Sequence, residues 1–167
     1  MRRLHVLRHA KSAWDDHGLP DHERPLAPRG QRDLPRLAAW LDEHGVRPRL
    51  IACSTAVRAR QTLEGVRPSL GEPEVLLEPS LYLASPGALL DRVRSLPDVT
   101  EAMLVGHNPG LQLLAMLLAS ASAERDRIAA KLPTGALVTL ELDVERWADV
   151  DAGVARVTAL VLPRELA

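Results

Sequence analysis

The chain is poor in cysteine and in aromatic residues. Its 167 residues include one cysteine and no phenylalanine, and aromatic residues make up 2% of the sequence. A single cysteine, Cys53, allows no intrachain disulfide and no cysteine-rich metal site. So few aromatic rings argue against a surface that stacks on nucleic-acid bases. The net charge of −1 also gives no overall attraction to nucleic acid or to an anionic membrane, so any positive potential must be local.

The chain also lacks long apolar runs and a basic, apolar leader. A membrane-spanning helix needs about 18 consecutive apolar residues, whereas the longest apolar run here, 111–121, is shorter and contains Gln112. Strand-like sequence already begins at Leu4, so we expect no targeting segment and a cytoplasmic location. The length and a hydrophobic fraction of 46% predict one globular domain over residues 1–167, which we expect to be a monomer.

Strand-like and helix-like segments alternate along the chain. Short apolar runs predict strands, and leucines at helical spacing predict the helices between them. The predicted strands are 3–8, 50–53, 74–77, 102–105, 138–142 and 155–160. The predicted helices start near 33, 55, 86 and 111. The first either has Pro35 in its opening turn or is kinked there, because proline disrupts a helix interior. This alternation predicts a three-layer α/β/α sandwich with a mainly parallel central sheet.

Charged and polar residues follow three of the predicted strands. Arg8 and His9 end the first strand, Ser54 and Arg58 follow the second, and His107 follows the fourth. Parallel strands bring their carboxyl ends to one edge of the sheet, where ligands bind. Two arginines can hold phosphate oxygens through charge-assisted hydrogen bonds, and a histidine can act as a nucleophile. The residues therefore predict a phosphate site.

A metal site is the weaker interpretation. The sequence has no His-Glu-x-x-His motif, no cysteine pair and no dense acidic cluster. Arginines beside the histidines would also repel a cation. We therefore expect neither a metal ion nor another cofactor.

Three segments carry a resemblance to a known family. Leu7-Arg8-His9-Ala10 resembles the Arg-His-Gly signature of the histidine phosphatase superfamily, the phosphoglycerate-mutase-like fold, with Ala10 in place of the usual glycine. Segments 54–62 and 105–108 resemble its second and third blocks, in the same order. The run Arg-His-Ala-Lys-Ser, together with segment 21–30, is similar to the small SixA-type phosphohistidine phosphatase branch. The resemblance covers roughly residues 4–110.

The resemblance implies a division of roles among the catalytic residues. His9 would be the nucleophile that carries the phosphoryl group. Arg8 and Arg58 would hold phosphoryl oxygens and neutralise their charge in the transition state. His107 would donate a hydrogen bond to a phosphoryl oxygen. Ser54 is expected to cap the helix that follows it.

Four further residues are expected to bind substrate. Arg24 would contact phosphate, and Asp21 would orient Arg24. Lys11 and Ser12 would line the rim of the pocket. Arg60 lies only two residues from Arg58, so the two point to different sides of the predicted helix and we expect Arg60 to face solvent.

The general acid is the least determined part of the site. Many relatives place a glutamate after the third strand, where this chain has Glu78, and Asp15, Asp16 and Glu23 are alternatives. Tyr82 is expected to be a packing residue. The SixA-type branch generally lacks the usual acid, which would suit a phosphoramidate because its nitrogen leaving group departs with less help than an alkoxide.

The expected activity is a metal-independent phosphatase that acts on protein phosphohistidine. A phosphatase of small phosphate esters and a non-catalytic phosphate-binding domain remain alternatives. If His9 is the nucleophile, activity should fall at low pH as its imidazole protonates, with a change between about pH 5 and 8.

Overall fold

A computed structural model describes residues 1–166, and this part of the chain forms a six-stranded mixed sheet. The strands are β1 (Arg2–Arg8), β2 (Leu50–Ser54), β3 (Glu74–Glu78), β4 (Glu101–Gly106), β5 (Leu137–Leu142) and β6 (Ala155–Val161). Their order in the sheet is β3-β2-β4-β1-β5-β6. The first four strands are mutually parallel, while β5 and β6 run antiparallel to their neighbours. The predicted, mainly parallel sheet is confirmed.

Helices cover both faces of this sheet. They are α1 (Pro28–Glu43), α2 (Val57–Val66), α3 (Pro86–Arg94), α4 (Gly110–Leu118) and α5 (Ala123–Ala130). The leucines of α1 and α2 pack in one hydrophobic cluster, and those of α3 and α4 pack in a second cluster that includes Ile128 of α5. Alternating residues of β1 contribute to both clusters, since Leu4 and Val6 lie in one and Leu7 in the other. The predicted three-layer α/β/α sandwich is therefore confirmed.

Two helix predictions need correction. Helix α1 begins at Pro28, which occupies a first-turn position, and Pro35 lies inside the helix. The continuous buried face of Leu34, Leu37 and Leu41 outweighs the cost of an interior proline, about 3 kcal/mol. Helix α5 was not predicted because, of its residues, only Ile128 is buried, which leaves little helical periodicity in the sequence.

The loop between β1 and α1 folds back over the end of β1. It contains a short 3-10 helix, Asp21–Glu23, and Ser12 pairs with Leu26 in an isolated antiparallel bridge. The start of α1 presses on this loop, because a Cβ atom on Gly30 would lie 2.3 Å from the carbonyl oxygen of Lys11. This close packing holds residues 8–12 against the carboxyl edge of the sheet.

Candidate active site

The four predicted catalytic residues lie at the carboxyl edge of the parallel strands. Arg8 ends β1 beside Gly106 of β4, and the imidazole rings of His9 and His107 are 5.3 Å apart between centroids. Arg58 is 3% exposed, and both histidines are similarly buried. Burial and, next, the charge of Arg58 lower the pKa of Arg8, as expected for two guanidinium groups that share one site.

His9 has a defined tautomer. Its Nδ1 lies 2.7 Å from the carbonyl oxygen of Ala10. Because a carbonyl oxygen only accepts hydrogen bonds, Nδ1 carries the proton and Nε2 keeps its lone pair. Burial lowers the pKa of His9 to about 4, against the opposing effect of the Ala10 hydrogen bond, and the charge of Arg58 lowers it further. The imidazole is therefore neutral at physiological pH.

His107 is held by Ser54. The Ser54 hydroxyl oxygen lies 2.8 Å from His107 Nε2 and accepts a hydrogen bond from the backbone N–H of Ala56. Burial, together with the positive charges of His9 and Arg58, lowers the pKa of His107 to about 3. The predicted capping role of Ser54 is wrong, because Ala56 is the N-cap residue of α2 and provides no side-chain hydrogen bond. Ser54 orients a histidine instead.

Three buried N–H groups around His9 have no hydrogen-bond partner within the described part of the chain. They are Arg8 Nε, Arg58 Nε and His107 Nδ1. Buried polar groups are almost always paired, so each exception needs an explanation. Arg8 and His107 stand at the ends of β1 and β4, and Arg58 lies in the first turn of α2, after β2. The arginine Nε–H groups donate, and His107 Nδ1 donates in the tautomer that carries its proton there. An anion with several oxygens is the ligand that would satisfy them together.

Asp21, in the loop between β1 and α1, accepts hydrogen bonds from two arginines and a tyrosine. One carboxylate oxygen accepts a hydrogen bond from Arg24 Nε at 3.1 Å, and the other accepts one from Arg58 Nη2 at 2.9 Å. The Tyr82 hydroxyl donates to this second oxygen. The Tyr82 hydrogen bond and then the arginines lower the pKa of Asp21 to about 2. Asp21 therefore orients Arg24, as expected, and also orients Arg58, which the sequence did not indicate.

Tyr82 packs against the hydrophobic cluster of α1 and α2, as predicted, but its hydroxyl also takes part in the site. Besides its bond to Asp21, its ring stands edge-on to His107 with centroids 5.4 Å apart. The ring of His22 meets the other side of Tyr82 at 4.8 Å, and His22 Nε2 lies 2.8 Å from Thr55 Oγ1. His22 and Tyr82 thus form an aromatic wall beside the cluster. The resemblance of segment 21–30 covers His22 without giving it a role, and no motif marks Tyr82.

The predicted rim residues differ in their surroundings. The Arg24 guanidinium lies 3.3 Å above the ring of Trp14, a close cation–π contact. Ser12 is buried and Lys11 is half-buried, and both lie in the loop segment held against α1. The side chain of Arg60 is exposed, as expected, and donates to the carbonyl oxygen of Thr55.

The carboxylates considered as general acids are engaged elsewhere or lie on the surface. Glu78 is bound by Arg92, whose Nε and Nη2 donate to its two oxygens at 2.6 and 2.9 Å. Glu23 lies 2.9 Å from His22 Nδ1, and Asp15 and Asp16 are exposed. The carboxylate that the structure brings to the cluster is that of Asp21, which is ionised.

Residues 1–166 contain neither a metal-binding cluster nor a membrane-spanning helix. No group of three or more His, Cys, Asp or Glu side chains in these residues is arranged to hold a metal ion. In the same residues, no helix has both the length and the apolar character to cross a membrane.

Comparison with known proteins agrees with this geometry. The family described as histidine phosphatase superfamily (branch 1) matches residues 4–82. A Mycobacterium tuberculosis protein of uncharacterized function is 40% identical over 163 residues, covering 95% of this chain and 100% of the relative. The SixA protein of Nakamurella multipartitia has the same fold, with a TM-score of 0.85 and 26% identity over 97% of this chain and 96% of that chain.

The chain belongs to the histidine phosphatase superfamily. The SixA protein of Agrobacterium tumefaciens is also similar, with a TM-score of 0.81 and 27% identity over 97% of this chain and 98% of that chain. These matches place the chain in the SixA-type branch and confirm the predicted resemblance. Family and fold together support phosphatase activity.

Proposed function

We propose that the protein hydrolyses phosphohistidine on a protein substrate through a covalent phosphoryl intermediate on His9. The observation that carries this proposal is the set of three unpartnered, buried N–H donors around the neutral imidazole of His9. Together they form a cationic, donor-rich cradle for a phosphoryl group beside a free nitrogen lone pair. The SixA relatives, which are named as phosphohistidine phosphatases, support the choice of substrate.

The reaction has two steps. The lone pair of His9 Nε2 forms a bond to phosphorus as the phosphorus–nitrogen bond of the substrate breaks. The substrate imidazole, already protonated by solvent on its other nitrogen, leaves with its bonding pair as a neutral ring. A water oxygen then attacks phosphorus, the bond to His9 breaks, and inorganic phosphate is released. Arg8 and Arg58 neutralise the charge on the equatorial oxygens in both transition states.

His107 acts as a neutral donor in both steps. When the Ser54 hydroxyl donates to His107 Nε2, the imidazole proton resides on Nδ1, which is the buried atom without a partner. This N–H then donates to a phosphoryl oxygen. The low pKa of His107 keeps the ring neutral, so Nδ1 is set as a donor by Ser54 rather than by protonation of the ring.

The state of Asp21 favours a phosphoramidate over an alkyl phosphate. With its pKa lowered to about 2, Asp21 is ionised and holds no proton for a leaving group at neutral pH. An alkoxide needs such a proton, whereas an imidazole leaving group needs less help. Aryl phosphates, whose leaving groups are stable anions, are therefore expected to be the better ester substrates.

Trapping of the phosphoenzyme tests the proposal. Wild type incubated with a labelled phosphohistidine peptide should acquire acid-labile label, and His9→Ala should acquire none. His5→Ala is the matched control, because it removes another buried histidine of β1 and should still label. A wild-type protein that never labels and turns over no phosphorylated compound contradicts the enzyme assignment. Faster turnover of sugar phosphates than of the peptide contradicts the choice of substrate.

A further inference from the structure

A second concentration of positive charge lies outside the catalytic cluster. It lines a groove of about 420 Å³, which we call the basic groove. Its charged lining consists of Arg29, Arg32, Asp33, Arg36, Lys131 and Arg164. Five basic groups and one acidic group thus share one groove in a chain whose net charge is −1.

The basic groove is built on the segments that hold the catalytic residues. One wall is the first half of α1, whose start packs on the backbone of Lys11. The other wall includes Thr134, and the next residue, Gly135, donates its N–H to the carbonyl oxygen of His9 at 2.9 Å. Because β6 runs in the same direction as β1, Arg164 also lies at the carboxyl edge of the sheet. The groove therefore opens at the edge that carries the catalytic cluster.

Most of the charged groups in the basic groove form no ion pair among residues 1–166. Arg36 forms an ion pair with Asp33 at 2.8 Å, which neutralises the single acidic group. Arg29, Arg32, Lys131 and Arg164 are exposed, and none has a carboxylate within 4.0 Å among residues 1–166. Such a cluster of like charges repels itself. An anionic partner would convert that repulsion into attraction.

The geometry suits an extended, acidic peptide. Arg29 and Arg36 are seven positions apart, or about 10 Å along the axis of α1. About three residues of extended chain cover that distance, and arginine side chains pair well with carboxylates. The described lining contains no aromatic ring on which a nucleic-acid base could stack, which disfavours a single-stranded nucleic acid as the occupant.

We propose that the basic groove docks an acidic segment of the phosphoprotein, next to the phosphohistidine that enters the catalytic cluster. This inference rests on the proposed function and adds a basis for substrate choice. The phosphoryl group itself is common to all phosphohistidine substrates, so selectivity must come from contacts outside the cluster. The groove supplies such contacts through charge, and its effect should appear in KM rather than in kcat.

The test uses two phosphohistidine peptides that differ only in whether their flanking residues are Asp/Glu or Asn/Gln. The groove variant is Lys131→Glu/Arg164→Glu. The matched control is Arg49→Glu/Arg67→Glu, which makes the same change in charge at two exposed arginines outside the groove. At low ionic strength, wild type and control should prefer the acidic peptide by about tenfold in kcat/KM, and the groove variant should lose this preference through a higher KM. Turnover of phosphoramidate should be equal in all three.

Several results would overturn the inference. The inference fails if wild type does not discriminate between the peptides, or if its preference persists at high salt. It also fails if the groove variant loses phosphoramidate turnover to the same extent as peptide turnover. If no substrate is turned over at all, the proposed function fails, and fluorescence anisotropy with a labelled, unphosphorylated acidic peptide still tests the groove. Weaker binding by the groove variant than by the control supports docking. Equal binding, or tighter binding of a single-stranded oligonucleotide, contradicts it.

Discussion

Two buried histidines, His5 within strand β1 and His9 just after it, have opposite surroundings. Both ring nitrogens of His5 are engaged, with Nδ1 2.9 Å from Thr139 Oγ1 and Nε2 2.7 Å from Glu101 Oε1. His9 has one nitrogen bound to a carbonyl oxygen, and its Nε2 is left for chemistry. Both rings are almost fully buried. Burial therefore does not distinguish His5 from His9, the proposed nucleophile, whereas unused hydrogen-bonding capacity does.

The difference follows from where each residue lies along the strand. His5 is in the middle of the sheet, between β4 and β5, and neighbouring strands offer it matched donors and acceptors. His9 lies just beyond the strand, where the chains after β1, β2 and β4 diverge. The positive and donor groups there cannot pair with one another. A sheet edge can thus keep polar groups buried and unpaired, at a cost that a bound anion offsets.

The largest expected effect is a loss of activity when a hydrogen-bond donor beside His9 is removed. Arg58→Ala deletes a buried guanidinium that faces the phosphoryl position, so kcat should fall by about 10²- to 10³-fold. Arg60→Ala, two residues away and exposed, should keep kcat within about twofold. Turnover of a phosphohistidine peptide measures both variants. Equal activity of the two would remove Arg58 from the proposed site.

The next largest effect is a loss of stability when His5 is replaced. His5→Leu leaves Thr139 and the half-buried Glu101 without their partner, so the free energy of unfolding should fall by about 2 kcal/mol. Urea denaturation measures this loss. Phosphoenzyme labelling of the folded variant should match wild type. A variant that is as stable as wild type but inactive would mean that His5, too, serves catalysis.

A smaller effect on activity is expected from the hydrogen bond between His107 and the Ser54 hydroxyl. Ser54→Ala removes the group that sets the tautomer of His107, so kcat should fall by about tenfold with little change in KM. Ser54→Thr keeps the hydroxyl and should restore most of the activity. Failure of Thr to rescue, despite a folded protein, would indicate that Ser54 matters only for packing.

Taken per pH unit, the smallest effect is a gradual dependence of stability on pH. Because the pKa of His9 is lowered to about 4 in the folded protein, its neutral state stabilises the fold above about pH 6.5, and this contribution is lost as pH falls from there towards 4. The free energy of unfolding should fall by up to about 1.4 kcal/mol per pH unit in that window. His9→Gln should show a shallower slope in the same titration. Identical slopes would mean that His9 has an ordinary pKa.

The same pKa revises the expected pH dependence of activity. A neutral His9 down to about pH 4 moves the fall in kcat/KM that is due to this residue below pH 5. The sequence alone predicts a change between about pH 5 and 8, because it assumes an unperturbed imidazole. A midpoint near 4 for the free enzyme, obtained from kcat/KM against pH, would agree with the structure. A midpoint near 6.5 would favour the expectation from the sequence.

Much of the fold and of the cluster follows from local patterns. Apolar strand runs, helical leucine spacing and the alternation of the two predict the sandwich, and Arg8-His9, Arg58 and His107 each stand immediately after such a run. Helix α5 and the start of α1 were not predicted, because their stability depends on packing that short-range periodicity does not report. The contact between Tyr82 and Asp21 also could not be predicted, because the two residues are 61 positions apart in separate loops.

The sequence by itself determined which strands exist, the mainly parallel character of the sheet and the chemical types of the residues that follow the strands. Those properties depend on side-chain periodicity and on contacts between residues that are close together in the sequence. Only the tertiary structure decided that Nε2 of His9 stays free and that Ser54 orients His107. It also decided which arginine N–H groups remain unpaired. Those outcomes depend on distances of a few ångströms between loops that are far apart in sequence, where one hydrogen bond separates a structural residue from a reactive one.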